Sequence, residues 1–322
     1  MAEPLAEGSG PTAPVVDPRL LRRLLGSLGL RARKALSQHF LADPEVLEAI
    51  VAAARPTPGR AVLEIGPGLG VLTAPLLAAG AAVTAVEIDP RLVRRLRGTF
   101  GRALHRGTIA PGSPGSLRLV EGDALAVGLR DLCPPPYDVV ANLPYHITSP
   151  VLHVLLEAPP RPERLVLMVQ REVAERLAAP PGEMSYLSVF AQYHAAVRVV
   201  RLVPPEAFEP PPEVWSAVVV LEVAGGVRAS LPQPLSPEDE EALWRLVQAA
   251  FRERRKMLQN VLPRQLPLPR AAIAAALRAA EVDGRRRPQD LAVVDWLRLV
   301  GALGPLPPTH GSESDRGSAP LP

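Results

Sequence analysis

Asn142-Leu143-Pro144-Tyr145 closes a short apolar run, YDVVAN, and brings together an amide side chain, a backbone carbonyl, a proline and an aromatic face. Pro144 restricts Leu143 to extended backbone and so holds its carbonyl outward. The Asn142 side-chain oxygen and the Leu143 carbonyl can accept the two protons of an amine, and Tyr145 offers a surface on which a flipped base can stack. These groups suit methylation of an amine conjugated to a ring. Such a nitrogen has a delocalised lone pair and is a poor nucleophile unless the charge that develops on it is stabilised. No strong base is needed, because the product cation is acidic and gives its proton to water. Taken alone, the four residues are equally a proline turn at a strand end.

Upstream, AVLEI runs into Gly66-Pro67-Gly68-Leu69-Gly70 and then a helical stretch. Glycines in a strand-to-helix turn let a ligand approach the backbone with no Cβ in the way. The dinucleotide fingerprint would place its third glycine at position 71, where this chain has Val71, so the loop matches S-adenosylmethionine better than NAD. Glu87 ends the next strand, where an acid can accept from both ribose hydroxyls. Asp123, in EGDAL, is placed to accept from the adenine amine. Glu64 either faces the methionine end of that ligand or bonds its own turn amides. Phe208, in AFEPPP, either closes over the far face of the base or is a core aromatic between two strands.

The elements that must position these groups are legible as changes of period. AVLEI (61–65), AVTAVEI (82–88), LRLVEG (117–122), YDVVAN (137–142) and RLVLMVQ (164–170) read as buried parallel strands. Helical stretches at 69–79, 90–100 and 149–157 separate most of them, and Asp43 and Pro44 cap a helix before the first. The expected fold is a doubly wound α/β sheet, with VRVVRLV and WSAVVVLEV as two further strands, an antiparallel hairpin at one edge. Residues 101–116 read as a long loop. After Leu231 the strands stop, and helices are expected near 237–251, 252–262, 269–281 and 288–301. The organisation predicted is a disordered tail at 1–17, an α/β domain at 18–230, a helical domain at 231–302 and a second tail at 303–322.

Composition bounds the remaining choices. The chain has 322 residues and 47% hydrophobic content, enough for a sizeable core, and its 39 prolines and 24 glycines fall below the share that marks low-complexity chains. No apolar run approaches a membrane span, and the first residues lack the basic flank and apolar stretch of a secretion signal, so a cytoplasmic protein is expected. The single Cys133 allows no internal disulfide and argues against structural zinc; no metal is expected. Net charge is +3, but the cations are nearly all arginine and unevenly placed. Arg19, Arg22, Arg23, Arg31, Arg33 and Lys34 form one block with no acid among them. A second runs from Arg245 to Arg287. Such blocks attract phosphate backbones, or else are solvated helix faces.

In order, EIGPGLG, VEID, EGDAL, NLPY, LSVFAQY, PPEAFEPPPEVWSAVV and FRERRKMLQN closely resemble the small-subunit rRNA adenine N6,N6-dimethyltransferase family, from about Leu36 to Val300. The resemblance implies a Rossmann-like class I S-adenosylmethionine-dependent methyltransferase fold with a small all-helical C-terminal domain. It implies dimethylation of two adjacent adenines in a hairpin loop near the 3′ end of the small-subunit rRNA, within a pre-30S particle, as a late assembly step. It assigns cofactor contacts to His39, Leu41, Gly66, Glu87, Asp123 and Asn142, with Gly68 and Gly70 completing the loop. Catalysis falls to Asn142, Leu143, Pro144, Tyr145 and Phe208, and the phosphates of the RNA to Arg252, Arg254, Arg255 and Lys256, in a protein acting as a monomer. Two departures stand out. His39 replaces an asparagine, and imidazole cannot copy both ends of an amide. His146 follows NLPY where the family often has asparagine, and is expected to point away from the cationic sulfonium or stay neutral. The rival readings are a resistance methyltransferase of large-subunit rRNA, against which F-x-P-P-P and R-R-K-x-L argue, and a non-catalytic assembly factor, against which the intact tetrapeptide argues.

Overall fold

The computed structural model describes residues 17–27, 39–104 and 115–306. Most of both expected tails, the middle of the 101–116 loop, and Arg31, Arg33 and Lys34 lie outside them, as does the side chain of Tyr145. The chain divides into two compact units: one from the described parts of Met1–Ala174 with Arg198–Glu222, the other from those of Glu175–Val197 with Val223–Pro322.

The first unit opens with helix α1 (Pro18–Ser27), a short strand β1 (Phe40–Leu41) and helix α2 (Pro44–Ala54). Asp43 starts α2 as expected, its carboxylate accepting from the Glu45 and Val46 amides. Strand β2 (Ala61–Ile65), helix α3 (Thr73–Ala78), strand β3 (Ala82–Glu87), helix α4 (Pro90–Thr99) and strand β4 (Leu117–Glu121) follow. Then come β5 (Tyr137–Asn142), α5 (Thr148–Leu156), β6 (Arg164–Gln170) and α6 (Arg171–Leu177). Helix α7 (Tyr186–His194) precedes the last three strands, β7 (Ala196–Val203), β8 (Phe208–Glu209) and β9 (Ser216–Glu222).

One sheet runs in the order β4-β3-β2-β5-β6-β9-β7. The five strands from β4 to β6 are parallel, and β9 returns antiparallel to β6. Parallel strands covered by helices must be apolar on both faces, and β2, β3, β5 and β6 are buried along nearly their whole length. β2 lies at the centre of the five parallel strands, so the chain reverses direction across the sheet between β2 and β5, and their carboxyl ends face one crevice. A separate ribbon pairs β1 antiparallel with β8, Phe40 opposite Glu209 and Leu41 opposite Phe208. Helix α1 packs on it, Leu21 and Leu25 sharing a cluster with Phe40, Leu69 and Leu92.

The second unit is helical. Helices α8 (Pro237–Phe251), α9 (Leu258–Gln265), α10 (Arg270–Ala279) and α11 (Val293–Leu303) enclose a core centred on the fully buried Trp296. Helix α7 belongs here: Val189 and Tyr193 bury in that core with Leu243 and Val247, so 175–197 group with the helices although they precede the last strands. The helix expected at 252–262 differs, beginning only at Leu258. The Leu258 and Gln259 amides donate to the Arg286 and Gly284 carbonyls, which pins the chain to a distant turn and breaks the helix between α8 and α9.

Candidate active site

The glycine turn leaves β2 in left-handed backbone, with φ of 70°, 59° and 84° at Gly66, Gly68 and Gly70. At Gly70 the reason is twofold, since an added Cβ would also come 2.5 Å from the Phe100 ring. Glu87, at the end of β3, reaches across to this turn. One carboxylate oxygen accepts from the Gly68 amide at 3.1 Å and the other from the Asp89 amide at 2.9 Å. Burial pushes the Glu87 pKa up, and those two amide bonds work against it. Glu64, one residue before the end of β2, is buried and accepts from the Thr73 hydroxyl at 2.7 Å, not from turn amides. Its other oxygen has no partner, and burial lifts its pKa to about 8, with the Thr73 bond opposing and the Glu87 charge adding.

Asn142 ends β5. Its side-chain nitrogen donates to the His39 carbonyl at 3.1 Å, which leaves Oδ1 as the acceptor. The Leu143 amide donates to the Met168 carbonyl at 3.2 Å, and Pro144 is extended, with ψ 134°. A 3-10 turn, Tyr145–Ile147, leads into α5. The His39 ring lies 2.8 Å from the Pro210 carbonyl through Nδ1, and because that partner only accepts, Nδ1 carries the proton. His39 thus ties the F-x-P-P-P segment to Asn142, ring to one and backbone to the other. On the same segment Glu209 receives a two-pronged bond from Arg22 of α1, at 3.0 and 2.7 Å, so this member of the N-terminal basic block serves the fold.

One cavity gathers most of the residues singled out in the sequence. His39, Leu41, Gly66, Gly68, Glu87, Asp123 and Asn142 line it, together with Leu143, Pro144 and Phe208. Gly70 is not in the lining and shapes the turn from beneath. Phe208 lines the cavity and is also buried in the main core cluster. His146 is also among the residues that line the cavity. Sequence reading missed Ile88, whose side chain is 50% exposed beside Glu87 and offers an apolar wall. Its signal was available, an apolar residue just past a strand-terminal acid. It also missed Thr73, whose hydroxyl finds Glu64 only once α3 folds back on β2.

The lining fits S-adenosylmethionine. It holds Glu87 and Asp123 as acceptors, Asn142 with the Leu143 backbone, and apolar walls from Leu41, Ile65 and Ile88. No lysine or arginine is among its described residues, which suits a cationic sulfonium. Among the described residues no cluster of histidine, cysteine, aspartate and glutamate could hold a metal, and no helix is long and apolar enough to cross a membrane. Arg252, Arg254, Arg255 and Lys256 belong to the other unit and are exposed in the break between α8 and α9; they lie in a turn, not on the helix face expected. Arg252 donates to the Gln265 side chain at 3.1 Å.

The model of the ribosomal RNA adenine dimethylase family matches residues 29–303. The chain belongs to that family. "Ribosomal RNA small subunit methyltransferase A" of Anaeromyxobacter sp. (strain K) is 42% identical over 296 residues, covering 88% of this chain and 97% of the relative. The protein of the same name from Corynebacterium efficiens is 38% identical over 302 residues, covering 93% and 100%. Among solved structures, the 23S rRNA methyltransferase ErmE superposes with a TM-score of 0.62 at 30% identity, over 82% of this chain and 99% of the other. A dimethyladenosine transferase from Plasmodium falciparum gives 0.66 at 26%, over 81% and 96%. The dimethylase is thus an enzyme with the Rossmann-like class I methyltransferase fold.

Proposed function

We propose that this dimethylase transfers methyl groups from S-adenosylmethionine to the N6 amines of two adjacent adenines in a hairpin loop near the 3′ end of small-subunit rRNA. The observation that carries this reading is the position of Asn142: it ends β5 inside the cavity that Gly66, Glu87 and Asp123 also line, with its amide orientation set by the His39 carbonyl. Small-subunit relatives at 42% and 38% identity favour that RNA over the large-subunit RNA of the 30% identical ErmE.

When bound, S-adenosylmethionine supplies an electrophilic methyl on a sulfonium. Glu87 accepts from the ribose hydroxyls, Asp123 accepts from the adenine amine of the cofactor, and His39 and Leu41 wall the methionine side. Asn142 Oδ1 and the Leu143 carbonyl accept the two protons of the target amine, which favours the pyramidal nitrogen that attacks. Pro144 holds that carbonyl in place, and Tyr145 and Phe208 take the two faces of the flipped base. The amine proton leaves to water. In the helical unit, Arg252, Arg254, Arg255 and Lys256 hold phosphates of the rRNA. The particle engaged is a pre-30S intermediate in the cytoplasm, and the enzyme acts as a monomer.

The test is incubation with labelled S-adenosylmethionine and under-methylated small subunits, followed by mapping of the modified nucleotides. Two labelled neighbouring adenines near the 3′ end are expected. Label on large-subunit RNA, or on no RNA, overturns the reading.

A further inference from the structure

Strand β9 is buried without interruption from Ser216 to Leu221, yet the two residues before it, Val214 and Trp215, are each 44% exposed. Trp215 is the one exposed aromatic among the described side chains. The other tryptophans are occupied: Trp296 is fully buried, and Trp244 packs against Phe190 and Tyr193. An exposed indole presents a flat apolar face with a polar edge to solvent, a surface on which a planar ligand can stack.

The register places Trp215 on the rim where the cavity opens. Asn142 pairs with Met168 on β6, Met168 pairs with Val218 on β9, and because β9 runs antiparallel its first residues emerge at the carboxyl end of β6. Ser216 lies opposite Gln170, and Trp215 stands just beyond, its carbonyl accepting from the Arg171 amide at 2.9 Å. Two strands across and three residues out, at ordinary sheet spacing, is about 14 Å from Asn142. A few nucleotides of single strand cover that span. The residue also ends the segment that begins at Phe208 and is held by the His39 bond to Pro210, so its backbone is anchored on both sides.

The geometry points to Trp215 as a stacking platform for an unpaired base of the substrate RNA, a few nucleotides from the adenine that enters the cavity. Every base presents a flat face, so such a platform positions the strand without reading its sequence, and removing an aromatic of this kind costs a single-stranded ligand about tenfold or more in affinity. This inference rests on the RNA substrate proposed above.

Two measurements test it. In steady-state methyl transfer to under-methylated small subunits, Trp215→Ala is expected to raise KM for the RNA about tenfold, with kcat and KM for S-adenosylmethionine within twofold of wild type. Trp215→Phe, which keeps a ring, is expected to stay within about threefold. An unchanged RNA KM in Trp215→Ala, with its thermal midpoint preserved, overturns the platform, as does a loss confined to the cofactor KM. In the second measurement a short RNA hairpin with two adjacent loop adenines is titrated while tryptophan emission is followed. Quenching in wild type that is lost in Trp215→Phe supports the platform, and equal quenching in both overturns it. Quenching that depends on Trp215 in a wild-type chain transferring no methyl to small subunits would sink the proposed reaction and leave the platform standing.

Discussion

At the amino-terminal rim of the sheet Arg60, just before β2, is held on three sides: Nε and Nη2 donate to the two Asp138 oxygens at 2.7 Å each, and Nη2 also donates to Glu163 at 2.8 Å. At the carboxyl rim, Glu64 and Glu87 are as deeply buried as Asp138, yet among the described residues neither forms an ion pair, and burial raises both of their pKa values. The first rim spends its charges on tying β2, β5 and the approach to β6 together. The second leaves Glu64 and Glu87 without a cation, although Asp89 beside them pairs with Arg91, and of the two only Glu87 lines the cavity. Buried carboxylate at the amino-terminal rim is satisfied by an arginine; at the carboxyl rim Glu64 and Glu87 are satisfied by a hydroxyl and by backbone amides.

The contrast can be broken from either end. Asn142→Ala, at the carboxyl rim, should lower kcat by about a thousandfold, the scale expected for losing a transition-state acceptor, while calorimetry still detects cofactor binding. Residual turnover near wild type would remove the proposed amine polarisation. Arg60→Met should do the reverse, lowering stability by about 3 kcal/mol in urea unfolding because Asp138 is left buried without its partner, with the cofactor KM unchanged. A shifted cofactor KM would mean that the two rims are not separable. Glu87→Gln should weaken S-adenosylmethionine binding about tenfold, the loss typical of a charged acceptor; an unchanged dissociation constant would place Glu87 on the structural side.

The smallest effect concerns Glu64 and pH. Its folded pKa, about 8, lies above that of an unfolded glutamate, so the folded chain holds the extra proton and stability falls as pH rises from about 4.5 through 8. Glu64→Gln, which cannot ionise, should flatten that fall, gaining on wild type by at least about 1 kcal/mol between pH 5 and 8. Parallel denaturation midpoints for the two proteins across that range would show that the group ionises without cost.

How much of this was legible beforehand depended on whether the signal was local. β2, β5 and β6 match the runs AVLEI, YDVVAN and RLVLMVQ residue for residue, because a strand buried on both faces must be continuously apolar. The cavity lining was readable for the same reason: strand ends and turns mark the carboxyl rim. What was not readable comes from contacts between distant residues. Arg60 and Asp138 are separated by 78 positions and carry no motif. The helix proposed over 252–262 has suitable residues, but the turn at 284–286 captures the Leu258 and Gln259 amides. α7 joins the helical unit because Val189 and Tyr193 find Leu243 and Val247, which no reading of their own segment reveals.

The ribbon that joins Phe40 and Leu41 to Phe208 and Glu209 has a consequence for synthesis. A nascent chain that has emerged only through β6 already owns the glycine turn, Glu87 and Asn142, but lacks the far wall of their cavity and the carbonyl that the His39 ring grips. A chain that ends before Phe208 therefore lacks one wall residue of the cavity and the acceptor that fixes the His39 ring.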